Sequence, residues 1–230
     1  MGKFGFTLAE VLITLAIIGV VAALTMPSLI GHYKEKQMIT ALKKTYSQLS
    51  QAVQMSQVEN LGDYSPENVV KYLKSAKICS GNDKSCTLNK YKYLNGNNQP
   101  NWGALDIWQS DYAQLTDGTI IRFAATTSNC NGVRGTSEAL KHFCGDISVD
   151  INGNKGPNIM GQDVFFFNIT TLGLIPFGTK EETSYPFETH CNKSKANASG
   201  LGCAAWVLQN ENFDYLRCND LSWDNKRSCK

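Results

Sequence analysis

The sequence predicts an α+β chain in which one long helix comes first and an antiparallel sheet follows. Three observations carry this. An apolar stretch near the amino terminus runs straight into a segment of helical periodicity, short β-prone runs between Gly, Asn and Asp turns come only later, and all eight cysteines lie after residue 78. Eight thiols in a chain of 230 residues would be a liability in a reducing cytosol, so the later part is expected to be a disulfide-braced head folded in an oxidising compartment. The expected divisions are a leader over residues 1–5, an apolar helix over 6–30, its amphipathic continuation over 31–60 and a globular head over 61–230.

The apolar stretch is FTLAEVLITLAIIGVVAALTMPSLI, residues 6–30, with Glu10 as its single ionisable side chain. As a helix it would rise about 37 Å, enough to cross a hydrocarbon layer of about 30 Å. The short, basic MGKFG ahead of it suits an export signal. Three readings compete: a signal peptide cut after Val21-Ala22-Ala23, a single membrane anchor, or a helix that uses Glu10. A carboxylate inside a membrane helix costs about 2.5 to 3.5 kcal/mol on insertion scales, so Glu10 needs a cation. A cut between Gly5 and Phe6 would supply one, the new amine of Phe6. In one straight helix that amine stands about 6 Å along the axis from Glu10, and a neighbouring subunit shifted by a turn would match it better. Gly19 weakens a helix by about 1 kcal/mol and Pro27 removes a backbone donor, so the helix is expected to bend or unwind between them or to carry a harmless kink. Lys34 and Lys36 after the span outnumber Lys3 before it. Counted charge therefore does not favour the amino end inside, and the cysteines decide the orientation, with the head outside the cytoplasm.

Gly5, Phe6, Thr7, Leu8 and Glu10 stand in the order Gly, then Phe-Thr-Leu-x-Glu, ahead of an apolar helix with Gly19 and Pro27 as helix-loosening residues. At these residues the chain resembles the type IV pilin and type II secretion pseudopilin superfamily. The resemblance implies cleavage after Gly5 by a membrane prepilin peptidase, N-methylation of Phe6 and use of an inner-membrane assembly platform. It also implies packing of the helix, through Phe6, Glu10, Gly19 and Pro27, into a filament with other pilin-like subunits. The competing function is that of a singly anchored extracytoplasmic protein whose head captures a glycan, an ion or DNA.

From His32 to about Asn60 the chain has no Pro or Gly, and Met38, Leu42, Tyr46 or Thr45, Leu49 and Val53 recur at steps of three and four. That spacing predicts an amphipathic helix, read as the continuation of the apolar one into a single rod. Leu61-Gly62-Asp63 ends it, and Ser65-Pro66-Glu67 opens a short helix over Val69 to Ala76. Ala113 to Leu115 and Ile120 to Ala125 form a hairpin around Asp117-Gly118. Ile147 to Ile151, Val164 to Ile169 and Leu172 to Phe177 are further strands, while 79–104 and 178–200 read as polar surface excursions. The ending, 203–218, reads as a helix and a strand stapled to the head.

Bunching of the cysteines suggests neighbour bonds, Cys79 with Cys86, Cys130 with Cys144, Cys191 with Cys203 and Cys218 with Cys229. No Cys-x-x-Cys pair suggests zinc. Between Asp150 and Asp163 the oxygen-bearing side chains of Asp150, Asn152, Asn154 and Asp163 alternate as a calcium loop requires, although Lys155 and Gly161 break the EF-hand pattern. The alternative is a plain Asn-Gly turn capped by Asp163. Calcium is thus the one cofactor the sequence suggests, and none is required. A formal charge of +2 argues against gripping nucleic acid by its phosphates. His32, His142 and His190 are isolated, and neither a nucleophile elbow nor a phosphate-cradling loop occurs, so no enzyme is expected. Trp102, Trp108, Trp206 and Trp223 are either a binding platform or buried packing.

Overall fold

The computed structural model describes residues 5, 7–79, 91–99, 112–124 and 129–229. Two compact units are present, Met1–Gln37 and Met38–Lys230. In the first, helix α1 begins at Leu8. Along its apolar stretch Leu12, Ile13, Leu15, Ile17 and Ile18 are all exposed. The helical assignment of α1, Leu8–Glu59, runs unbroken through Gly19 and Pro27. The unwinding expected between those two residues is absent, and a Cβ placed on Gly19 would meet nothing.

In the second unit the later turns of α1 bury Ile39, Leu42, Thr45, Leu49, Ala52, Val53 and Ser56. The buried stripe is the one the periodicity picks out, except that Ile39 is buried where Met38 is only partly so. The helix stops as Leu61 and Gly62 turn left-handed, with φ of 53° and 81°, and the Gly62 N–H bonds back to Gln57 O.

Helix α2, Pro66–Val70, is shorter than expected. Strand β1, Ser75–Cys79, follows. The reading of residues 75 and 76 as helical is therefore corrected: the main chain here pairs with β2, Tyr112–Leu115, a partner too distant in sequence for local propensity to reveal. The chain then runs through β3 (Ile120–Ala124), β4 (Phe143–Asp150), β5 (Val164–Thr170) and β6 (Gly173–Pro176). Among the described residues these form one antiparallel meander in the order β1-β2-β3-β4-β5-β6.

Alternation sorts the strands onto two faces. Ile121, Phe123, Ile147, Val149, Phe165, Phe167 and Ile169 share a core with α1. Tyr46 stacks on Phe167 at 5.5 Å and donates its hydroxyl to Leu174 O at 3.1 Å. The opposite face carries a smaller cluster of Tyr91, Met160, Val164, Phe166 and Phe177. All of β5 is buried for this reason, and its run Val-Phe-Phe-Phe reads as continuously apolar.

Segments expected to lie on the surface contribute to the core. Tyr91 and Leu94 are buried, as are Glu182, Phe187, Cys191 and Ala198. Helix α3, Phe187–His190, sets Phe187 flat on Trp206 of helix α4, Ala204–Asn210, with ring centroids 4.0 Å apart, and Trp223 packs on Trp206 at 5.2 Å. Trp206 and Trp223 are therefore buried packing, while Trp102 and Trp108 lie outside the described residues. The expected strand within 213–218 is instead a single 3-10 turn, Asp214–Leu216. Asn212 Oδ1 accepts the Asp214 N–H at 3.1 Å and so starts that turn.

Candidate functional site

Gly5 is exposed and Phe6 lies outside the described residues. Beyond them, Thr7 and Glu10 close on each other. The Thr7 N–H and the Thr7 hydroxyl both donate to Glu10 Oε2 at 2.8 Å, and the Glu10 N–H donates to Thr7 Oγ1 at 3.3 Å. This reciprocal arrangement is a capping box, in which residues three apart satisfy each other's orphaned amides at a helix start. The carboxylate therefore folds toward the amino end of its own helix. Gly19 and Pro27 lie further along the same uncovered stretch and are not brought to Glu10.

The loop after β4 forms a second polar centre. Asp163 is fully buried and accepts the main-chain N–H groups of Asn158 and Ile159, each at 2.7 Å, and the Asn152 amide at 3.3 Å. Asp150 accepts the Tyr91 hydroxyl at 2.9 Å and the Asn152 N–H at 3.2 Å. Burial, then the charge of Asp163, pushes the Asp150 carboxyl up to about 7, and burial raises that of Asp163. Among the described residues Asn152 Oδ1 and Asn158 Oδ1 are buried without a donor. Two carboxylates and two such amide oxygens are the hard-oxygen donor set that calcium takes. Asp163 also caps the turn as a plain turn would require. The Asn154 side chain lies outside the described residues.

A third centre was not legible from the sequence. Arg134 donates to Asp146 at 3.1 Å while its guanidinium lies over the Phe143 ring at 4.3 Å. Asn168, the cross-strand partner of Asp146, donates to Glu182 at 2.8 Å. Burial pushes the Asp146 carboxyl up to about 6 against the pull of Arg134, and burial raises Glu182. The one local signal was Asp146, Ser148 and Asp150 alternating with apolar residues along β4.

Disulfides join Cys130 to Cys144, Cys191 to Cys203 and Cys218 to Cys229. Cys86 and the side chain of Cys79 lie outside the described residues. His142 meets Glu138 at 3.3 Å on the surface, His190 Nδ1 meets Ser199 Oγ at 2.8 Å, and His32 is exposed. Among the described residues no three His, Cys, Asp or Glu side chains gather as a metal site.

Comparison with known proteins gives two similarities. Residues 1–26 match the prokaryotic N-terminal methylation motif. The type II secretion system core protein G of Pseudomonas aeruginosa is 27% identical over 134 residues, covering 58% of this chain and 88% of that protein. No solved structure matches the chain. The methylation motif at the start of an exposed apolar helix, the likeness to a secretion pseudopilin and a disulfide-braced antiparallel head make the chain similar to the type IV pilin and type II secretion pseudopilin superfamily and support a filament subunit.

Proposed function

We propose that this filament subunit is made with a five-residue leader, held in the cytoplasmic membrane by its apolar helix with the head outside, and cut between Gly5 and Phe6 by a prepilin peptidase. N-methylated Phe6 then becomes the start of the mature chain, and an inner-membrane platform feeds the protomer into a pilus or a secretion pseudopilus. In the filament the Phe6 amine of one protomer neutralises Glu10 of the adjoining one, and Gly19 and Pro27 belong to the apolar stretch against which neighbours pack. The role is structural and the chain performs no catalysis.

The observation that carries this reading is the uncovered apolar face of α1, from Leu8 to Ile30, with its one acid held at the amino end. Exposed leucine and isoleucine side chains gain by burial against lipid or against sister helices. A lone anchor gives no reason to keep Glu10, because a carboxylate in lipid is costly without a partner.

Amino-terminal mass spectrometry of the mature protein tests the route. A start at methyl-Phe6 supports it, and a start near Leu24 overturns it. Glu10→Ala tests the role: filaments should be lost while membrane insertion persists, whereas unchanged filaments would favour a singly anchored binding protein.

We also propose calcium as a ligand of the loop that Asp150, Asn152 and Asp163 close. Asn154 belongs to the same loop, and Asn158 adds the second donor-free amide oxygen.

A further inference from the structure

Glu10 has two requirements before any neighbour arrives. Its carboxylate needs hydrogen bonds, because lipid offers none, and its N–H lies in the first turn, where no earlier helical carbonyl reaches it. Thr7 meets both. Its hydroxyl gives its hydrogen to Oε2 and takes the Glu10 N–H on a lone pair, while its own N–H goes to the same Oε2. One hydroxyl can act in both directions at once.

We propose that Thr7 is the positioning residue of the assembly site: it latches the Glu10 carboxylate onto the first turn of its own helix. The unassembled protomer then carries no bare acid, and the acid is presented where the Phe6 amine must meet it. The inference rests on the reading of Glu10 as that amine's partner. Both members of the latch lie beyond the cut, so the precursor and the mature chain share it. The nitrogen that holds Oε2 belongs to the residue directly after Phe6. An incoming amine therefore finds the carboxylate already turned toward the end of the helix, with its second oxygen, Oε1, outside these three bonds.

The test uses the full chain in lipid nanodiscs and in cells, with three variants. Thr7→Val keeps the shape and the main-chain N–H but removes the hydroxyl. Thr7→Ser restores the hydroxyl. Glu10→Gln keeps a capping acceptor and removes the charge. Exchange of the Glu10 amide hydrogen, read by NMR, should speed up about tenfold in Thr7→Val, the loss of roughly one hydrogen bond, and return in Thr7→Ser. Filaments per inserted mature protomer should fall in Thr7→Val and recover in Thr7→Ser. Glu10→Gln should keep the protected amide and lose assembly.

Unchanged exchange in Thr7→Val would overturn the latch, and so would faster exchange with undiminished filaments. Processing scored by mass spectrometry on the same samples keeps a cleavage defect apart from an assembly defect, and the exchange measurement reads equally on uncut chain. If Glu10→Ala assembles normally, the reading of Glu10 falls whatever Thr7 does.

Discussion

Tyr91 donates its hydroxyl to Asp150 Oδ2 across 2.9 Å, at a place where both side chains are buried. The bond ties the segment before Asn95 to the end of β4, and the Tyr91 ring belongs to the cluster of Met160, Val164 and Phe166. Tyr91→Phe preserves the ring and removes the donor, leaving a buried carboxylate short of one partner. Such a loss costs about 1 to 3 kcal/mol. Urea denaturation should show that loss at pH 8 and a smaller one at pH 5, where Asp150 holds a proton. An equal loss at both values would show that the charge of Asp150 is not what Tyr91 stabilises.

Stability should decline as pH rises from about 4 to about 7. The carboxyls of Asp150 and Asp146 are pushed up to about 7 and about 6 from an ordinary 3.8, so in this window the native chain holds protons that the unfolded chain has released. Stability therefore falls with each step upward and is level above the native values. Glu138 and Asp220, held below their ordinary values by hydrogen bonds from Lys141 and Lys226, act at more acid pH, and His190, pushed down by burial, offsets part of the decline below its ordinary value, where only the unfolded chain takes its proton. Urea midpoints between pH 4.5 and 8.5 would check the slope, with metal chelated. Asp150→Asn, which mimics the protonated acid, should flatten it and be more stable than the native chain at pH 8.

Calcium should reverse that trend if it binds the loop. A divalent ion favours the charged forms of Asp150 and Asp163 and gives the oxygens of Asn152 and Asn158 a partner. Extracellular calcium modules bind at roughly 0.1 to 1 mM, so about 2 mM calcium should raise the melting temperature at pH 8 and remove most of its difference from pH 5. Asp150→Asn should abolish the response. No shift at pH 8 would leave the loop as a turn closed by Asp163 alone.

Gly178 and Gly200 should tolerate no side chain. Both have left-handed φ, 83° and 84°, and a Cβ would fall 1.9 Å from Gly202 O and 2.0 Å from Met160 O. Neither contact can be relieved by rotating a side chain, because each neighbour is main chain. Gly178→Ala should destabilise by well over the roughly 1 kcal/mol that a left-handed alanine costs, seen as loss of folded head on proteolysis. Gly118→Ala, at a left-handed turn with open space around it, should cost only that smaller amount.

What was legible in the sequence was what local chemistry determines. Leu42, Leu49 and Val53 announce the buried stripe of α1, Asp117-Gly118 announces the β2–β3 turn, and the Val-Phe run announces β5. Strand β1 is not legible locally because its ladder is made with residues 112–115, far along the chain. The Arg134, Asp146, Asn168 and Glu182 cluster is not legible because two loops and two strands must fold before those groups meet. The Thr7 and Glu10 box is present in the sequence as Thr-x-x-Glu, the spacing of a capping box, but an acid in an apolar stretch points first to a cation.

The disulfide between Cys191 and Cys203 should matter more than the one between Cys218 and Cys229, although chain entropy treats them almost alike. Their sequence separations are 12 and 11, for which loop closure gives about 3 kcal/mol in either case. Their surroundings differ. Cys191 and Cys203 are fully buried between α3 and α4, and a Cβ on Gly161 would lie 2.6 Å from the sulfur of Cys203. That sulfur thus fills space against the end of the acidic loop, whereas Cys229 is only partly buried near the carboxyl end. Replacing each pair by alanines should lower the melting temperature by about 6 to 12 °C through chain entropy, with a further drop for the 191–203 pair from the gap left at Gly161. Calorimetry of the two double variants would read this directly. Equal drops would mean that the buried sulfurs contribute nothing beyond closing their loop.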